Sequence, residues 1–376
     1  MDDDNRMPAE EDFQEPLRFT RSVTEDSRHD PRLLDSIARV APGTRLREGI
    51  EHIIRSHEGA LIVIGDPEAL SFLYSGGIPL DLQFSAQFLY ELAKMDGAVV
   101  VNESVSRLAY ANVQLMPDPT IPSSETGTRH RTAERVAKQT DALMVAISQE
   151  RETLTLFVGT HRYMLDPIPD VLARANQALA ALEAYQRRLN KQLSRLTTLE
   201  LSGAVMLEDV LGVVQRAEMS TRVADEIERN CLELGSEGRL IRLQLEELIR
   251  ELPREKRSLV YDYHAAGGIE AKEALERLSR LSFTELLEPE FLLQLLAYPR
   301  KIVPLDHRVE PRGYRVLSHA PRLTAGTARK LVTAFGGLDA ILEASEEEFQ
   351  KIDGIKPNRA RKIKEALRRL KELDLR

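Results

Sequence analysis

What this chain lacks narrows the reading before any motif does. It has one cysteine, Cys231, so no intrachain disulfide can form and no Cys/His spacing suits zinc. Cys231 lies in a helical pattern without a partner for nucleophilic chemistry and reads as packing. No apolar run approaches the roughly 18 residues of a membrane span. The opening stretch MDDDNRMPAEEDFQEP is acidic and lacks the apolar centre of a signal peptide. A cytoplasmic protein without membrane contact is expected. Neither a GxxxxGK[ST] loop nor a GxGxxG turn occurs, which excludes the common nucleotide-binding motifs. His161, His264 and His307 are isolated from other metal-ligating residues and read as structural.

Charge is present in both signs but unevenly. The 376 residues hold 52 lysines and arginines against 60 acids, a net charge of −8. From Arg312 to Arg376 there are 15 basic and 9 acidic residues, so this block is +6 and the remainder −14. A basic C-terminal module on an acidic body points to a polyanion, with nucleic acid the first candidate.

Hydrophobic periodicity divides the chain further. Residues 1–28 are charged and nearly aperiodic, an acidic tail expected to be disordered. TRLREGIEHIIRS (44–56) has Leu46, Ile50, Ile53 and Ile54 at helical spacing, and ALIVIG (60–65) is a short buried strand. A helix follows at Phe84–Met95, then strands GAVVVN (97–102) and RLAYANVQL (107–115). Pro117, Pro119 and Pro122 mark a loop leading to a short helix at 132–140. ALMVAIS (142–148) and TLTLFV (153–158) read as an antiparallel pair, with YML (163–165) as a third strand. Helices and hairpins thus interleave, which implies a mixed-sheet α/β domain over 30–166.

The rest is helical, so the fold class is α/β plus all-α. Asp170 to Leu201 contains no glycine or proline, and Ala173, Ala180, Leu182, Leu189, Leu193 and Leu196 suggest an apolar stripe for core or oligomer contact. Helical patterns at 206–232, 238–251, 271–281 and 284–297 extend this into a spine over 167–311. Residues 312–376 have a doubled helix-hairpin-helix design. EEEFQKIDGIKPNRARKIKEALRRL puts an Asp353-Gly354-Ile355 hairpin between two helices, and LSHAPRLTAGTARKLVTAF (317–335) is a more degenerate copy. Hairpin amides at Gly354 and the following helix start can hold a DNA phosphate, with Lys356, Arg359, Arg361 and Lys362 nearby. The competing reading is a small helical bundle with a solvated basic face.

The chemistry of the first domain centres on ETGTRHRTAERVAKQ (125–139). Arg129, His130 and Arg131 crowd a helix start, where the helix dipole already places positive charge. Free amides at that end, with Gly127 and Thr128 before them, form an anion site, and a triphosphate would make the crowded cations into partners. Arginine forks match phosphate geometry, and the Thr128 hydroxyl can donate to a phosphate oxygen. A solvated charged loop is the alternative. In KMDGAVVVNE (94–103), Asp96 precedes a strand at Gly97. Asp-Gly is a common turn, yet an acid beside a triphosphate can also ligate Mg2+ or Mn2+ or orient a ribose hydroxyl.

MDGA (95–98), ANVQLMPDPTIPSSETGTRHRTAERVAKQT (111–140) and AISQER (146–151) resemble the diadenylate cyclase domain. The domain order, over about residues 33–376, resembles members of that family with a helical spine and a C-terminal helix-hairpin-helix module. The resemblance implies condensation of two ATP into cyclic di-AMP with release of two pyrophosphates. Asp96 then serves metal and attacking hydroxyl, Gly97 and Leu115 contact the adenine nucleotide, and Thr128, Arg129, His130, Arg131, Thr132 and Ser148 bind phosphate and nucleotide. It further implies an octamer and inhibition by branched DNA or recombination intermediates, read without sequence specificity. One departure stands in the second hairpin, Gly354-Ile355-Lys356, where the family often has Gly-Ile-Gly. Because the product has two-fold symmetry and the chain has one motif set, two sites must face each other across a homo-oligomer interface.

Other functions stay open at this stage. One is an ATP-sensing, DNA-binding scaffold without turnover; another is a repair nuclease, which would need a cluster of acidic metal ligands that the sequence does not offer.

Overall fold

A computed structural model describes residues 30–265, 268–298, 304–320 and 323–374, with the side chains of 268, 269 and 370–374 left aside. The acidic tail 1–28 lies outside the described residues, as do Pro321 and Arg322 of the first helix-hairpin-helix copy. The chain forms two compact units. One takes residues up to Ala178 with Glu226–Gln244; the other takes Leu179–Asp225 and the residues from Leu245 on.

In the first unit, strands β1 (Ala60–Gly65), β2 (Tyr74–Ser75), β3 (Ile78–Gln83), β4 (Ala98–Asn102), β5 (Arg107–Leu115), β6 (Leu143–Ile147), β7 (Leu154–Val158) and β8 (His161–Leu165) form one mixed sheet. Its order is β2-β5-β4-β1-β6-β7-β8, with β3 also paired to β5. Only β1 and β4 are parallel among these pairs, with Ile62 opposite Val99. β2 and β3 are too short and too exposed to show an apolar alternation, so the sequence pattern passes over them.

The continuous apolar run of β1 reflects burial on both faces. Ile62 and Ile64 join Val99, Val145 and Leu156 under α1 (Pro31–Arg39), α2 (Arg45–Arg55) and α3 (Ala86–Ala93). Leu61 and Val63 point the other way, with Ala98, Val113, Met144 and Phe157. There they meet Ala133, Val136 and Ala137 of α4 (Thr128–Gln139). The result is a three-layer sandwich with α4 alone against the second face among these clusters.

The helical elements are α5 (Ile168–Leu201), α6 (Leu207–Leu234), α7 (Arg239–Ile249), α8 (Leu252–Tyr263), α9 (Gly268–Arg280), α10 (Phe283–Leu287) and α11 (Pro289–Leu295). The continuous helix expected over 284–297 is instead two, because Pro289 starts a new helix after Glu288. The stripe on α5 also shifts. Ala173 and Ala180 are exposed, while Val171, Ala175, Leu179, Leu182, Gln186, Leu189, Leu196 and Glu200 are buried. Alanine carries too little surface to define a face, whereas the three-and-four spacing of the larger residues does.

The C-terminal helices are α12 (Tyr314–His319), α13 (Ala325–Phe335), α14 (Leu338–Glu343), α15 (Glu346–Gln350) and α16 (Pro357–Asp374). Leu331, Leu338, Ile341, Phe349, Ile355, Ala360 and Ile363 form their core, and Phe335 meets Phe349 edge-on at 5.6 Å. The hairpin between α15 and α16 turns at Gly354, whose φ of +81° favours glycine.

Candidate nucleotide and DNA sites

The helix carrying the basic triplet starts earlier than its apolar pattern indicates. α4 begins at Thr128, not 132, because its first turn is wholly polar and invisible to hydrophobic periodicity. Gly127 is the N-cap and offers no side-chain acceptor, and no acid stands in the first turn. The first intrahelical bond is Arg131 N–H to Gly127 O at 2.9 Å. The amides of Thr128, Arg129 and His130 therefore remain available to an anion.

These amides open on a cavity of about 580 Å3. Among the residues expected at the site, Gly97, Leu115, Gly127, Thr128, Arg129, His130, Thr132 and Ser148 all line it. The floor adds Leu61, Ala98 and Val113, and the rim adds Gln114, Gln149 and Glu150, which the sequence reading missed. Strand alternation could have found Val113, which shares a face with Leu115, whereas Leu61 and Ala98 join them only through strand pairing. Nothing in the loop sequence singles out Gln149 or Glu150.

Gly97 is required by the fold. Its φ is +83°, and a Cβ there would lie 2.7 Å from Val113 O. It enters β4 beside a bulge in which Ala98 pairs with Val113 and Asn112 adopts a φ of +53°. Gly127 differs: its φ is −79°, and its nearest neighbour to a Cβ is His130 Nδ1 at 3.9 Å. Backbone geometry does not demand glycine there. Asp96, just before Gly97, is exposed and makes no ion pair among the described residues.

The three basic residues have three different settings. Arg129 is exposed and has no carboxylate or carbonyl partner among the described residues. Arg131 turns back, donating to Glu125 O at 3.3 Å and Thr126 O at 3.2 Å. His130 is half-buried, edge-on to Phe157 with ring centroids 6.2 Å apart. Burial holds its imidazole below the ordinary range; Glu125 pulls up, while Arg162, Arg129 and Arg151 add to the lowering.

The outer face of α4 fastens the proline-rich loop that precedes it. Buried Glu134 accepts from Ser124 N–H at 3.0 Å, from the Ser123 hydroxyl, and from Lys138 Nζ at 2.7 Å. Arg135 Nε reaches Ile121 O at 2.9 Å, and Lys138 Nζ reaches Pro122 O at 2.8 Å. Glu125 pairs with Arg162 of β8. The loop is thus held by side chains spaced along one helix, and it delivers Gly127 to the cavity.

A second cavity, about 690 Å3, lies in the C-terminal helices. Gly354, Lys356, Arg359 and Lys362 line it as the sequence suggests, and Thr327, Asn358 and Arg369 join them; Arg361 stands outside. Arg359 donates to the Thr327 hydroxyl, and Lys330 Nζ donates to Asp353 O at 2.9 Å. Cations from both halves of the module therefore meet at the second hairpin.

Comparison with known proteins gives these sites a class. Residues 47–162 match a model described as DisA bacterial checkpoint controller nucleotide-binding, and 165–303 match the DisA linker region. Residues 315–369 match a SAM-like helix-hairpin-helix tandem. The protein is a diadenylate cyclase with a DNA-scanning role, making cyclic di-AMP from ATP.

The chain belongs to the family of DNA integrity scanning protein DisA. It is 48% identical to that protein from Carboxydothermus hydrogenoformans over 344 residues, 91% of this chain and 98% of the relative. It is 45% identical to that from Frankia alni over 339 residues, covering 90% and 94%. A solved structure of a hypothetical membrane spanning protein from Bacillus cereus, 27% identical, covers 33% of this chain and 62% of its own, with a TM-score of 0.30, too low to bear on the fold. No helix among the described residues is long and apolar enough to cross a membrane.

Proposed function

We propose that each chain supplies half of a cyclase centre, and that two chains meet face to face over two ATP molecules. The observation that carries this reading is the start of α4 without a side-chain cap, opening on a cavity beside Arg129, which is unpaired among the described residues. The amides of Thr128 to His130 and the Arg129 guanidinium receive the phosphates. Gly97 and Leu115 bound the adenine nucleotide, with Thr132 and Ser148 completing the wall. Arg131 serves the same site by holding the carbonyls of Glu125 and Thr126 behind it.

In each half-reaction the 3′-hydroxyl of one nucleotide attacks the α-phosphorus of the other. A P–O bond forms to the ribose, the bond from the α-phosphorus to the bridging β-phosphate oxygen breaks, pyrophosphate leaves with its electron pair, and the hydroxyl's proton passes to solvent. In-line approach and charge stabilisation supply the rate, so the chain's task is positioning. Asp96 orients the attacking hydroxyl, and neutral His130 can bond the nucleotide without competing for charge. No group of three His, Cys, Asp or Glu among the described residues could hold a metal by itself. A lone exposed Asp96 would hold Mg2+ or Mn2+ only together with the triphosphate. Such an ion would supply neutralisation of phosphate charge.

In this reading the chain divides its labour among 30–166 for catalysis, 167–311 as spine and 312–376 for DNA, and works in the cytoplasm as a homo-oligomer, an octamer in full. Gly354, Lys356, Arg359, Arg361 and Lys362 grip DNA phosphates without reading bases, and branched DNA or recombination intermediates lower cyclase activity. The test is Asp96→Asn, assayed for product with ATP and Mg2+ or Mn2+. Cyclic di-AMP synthesis should fall at least about a hundredfold in a correctly assembled oligomer. Near-normal synthesis would remove Asp96 from the reaction.

A further inference from the structure

Arg129 has no carboxylate or carbonyl partner among the described residues, so something other than an ion pair must set its guanidinium. The residue beneath it is Gly59, buried at the entry to β1. A Cβ built on Gly59 would lie 2.3 Å from Arg129 Nη1, 3.0 Å from Arg129 Cζ and 3.3 Å from Gln149 Cβ. Gly59 is not among the residues with positive φ, so alanine suits its backbone. What glycine provides here is space, and the space is filled by the guanidinium.

We infer that Gly59 is a positioning residue for the cyclase reaction, its missing side chain forming the seat of the Arg129 guanidinium. The inference rests on the phosphate role proposed for Arg129. Arg129 and Gln149 both line the nucleotide cavity, and Gly59 lies behind them. Carbon in ordinary contact keeps about 3.5 Å or more, so a methyl at position 59 would push the guanidinium by about 1 Å. A displacement of that size at a reacting centre can lower the rate about a hundredfold. The atoms met first are the free end of a long side chain, so the arginine yields and the sheet does not. That separates this glycine from Gly97, where a Cβ meets backbone.

The test compares Gly59→Ala, Arg129→Ala and the double variant in the full-length chain, measuring kcat and KM for cyclic di-AMP formation together with thermal melts without ATP. Gly59→Ala should lower kcat about 10- to 100-fold with an unchanged melt. In the Arg129→Ala background the same substitution should change kcat less than about twofold, since its target is gone. Normal kcat for Gly59→Ala beside an impaired Arg129→Ala would overturn the inference and leave the phosphate role of Arg129 intact. Equal fold-losses in both backgrounds would assign the effect to the fold and also overturn it. Full activity of Arg129→Ala would instead remove the phosphate role, and the inference with it.

Discussion

Arg129 and Arg315 occupy opposite physical situations. Arg129 stands at an exposed helix start, its charge unmatched by any described residue, with a glycine seat behind it. Arg315, on α12, is 1% exposed and fully engaged. It pairs with Glu200, which is 0% exposed, donates Nη2–H to Thr197 Oγ1 at 2.8 Å, and has Glu255 Oε2 3.7 Å from Nη1. Tyr263 O–H donates to the same Glu200 at 2.7 Å. One arginine has its partners within the chain; the other has no carboxylate partner among the described residues. Burial of charge without internal pairing is too costly to persist, so an unpaired cation stays at the surface where a ligand can reach it.

The junction around Arg315 carries the same logic into backbone. Asp262, fully buried at the end of α8, accepts the N–H groups of Gly313 at 2.8 Å, Tyr314 at 2.6 Å and Arg315 at 2.8 Å. Burial and the Glu200 charge push its carboxyl up to about 7, against the amides that pull it down. Arg312 answers from the other side, donating to the carbonyl oxygens of Tyr261 at 3.0 Å and Ala265 at 3.2 Å. The α4 start, by contrast, has no internal carboxylate on its amides. One helix start is closed by a buried carboxylate, and the other has no side-chain cap.

The sharpest way to break this contrast is Arg315→Met. Leaving Glu200 buried without its cation should cost about 3–5 kcal/mol of stability, read by urea denaturation of the full chain. A variant as stable as the parent would mean that the buried cluster is ornamental. Somewhat smaller is the expected effect of Arg129→Ala on turnover, about a 100- to 1,000-fold loss of kcat. The same variant without ATP should keep its stability within about 0.5 kcal/mol, because it loses no internal partner. Marked destabilisation of the ATP-free protein would make Arg129 structural and erase the distinction.

Smallest are two pH effects of opposite sign. His319 Nε2 lies 2.8 Å from Glu255 Oε1, and that contact, with the carboxylate charge, holds the imidazole above its usual 6.5. Its stabilising contribution is present in full below about 6.5 and fades as pH rises through the higher folded value. His130 has a folded value below 6.5, so it disfavours folding increasingly as pH falls from 6.5 toward that value. Stability curves of His319→Gln and His130→Gln against the parent should therefore diverge from it differently. The first loses stability on the acid side only, and the second gains there. Parallel shifts at all pH values would show that neither imidazole titrates as its surroundings dictate.

How far each of these features could be read from sequence follows from its physics. β1 was legible because a strand buried on both faces must be apolar throughout, and Ala60–Ile64 is. The proposed anion site is suggested by order along the chain alone, because three basic residues at a helix start are unfavourable unless something offsets them. The first turn of α4 was missed because Thr128 to Arg131 present no apolar face to count. Local sequence thus determined the strands β1 and β4–β8, that the basic triplet belongs to a helix, and that the second C-terminal hairpin turns on glycine.

Tertiary structure alone decided the pairings between distant residues. Glu200 and Arg315 are separated by 115 positions, and each looks like any surface charge in its own helix. Glu200 does occupy a place on the buried stripe of α5, but only its partner explains why a carboxylate is tolerated there. Gly59 and Arg129 are likewise remote, and a glycine before a strand carries no mark of the side chain it accommodates. Periodicity and composition are properties of neighbours along the chain. Ion pairing and steric seating depend on which atoms the completed fold brings within a few ångströms.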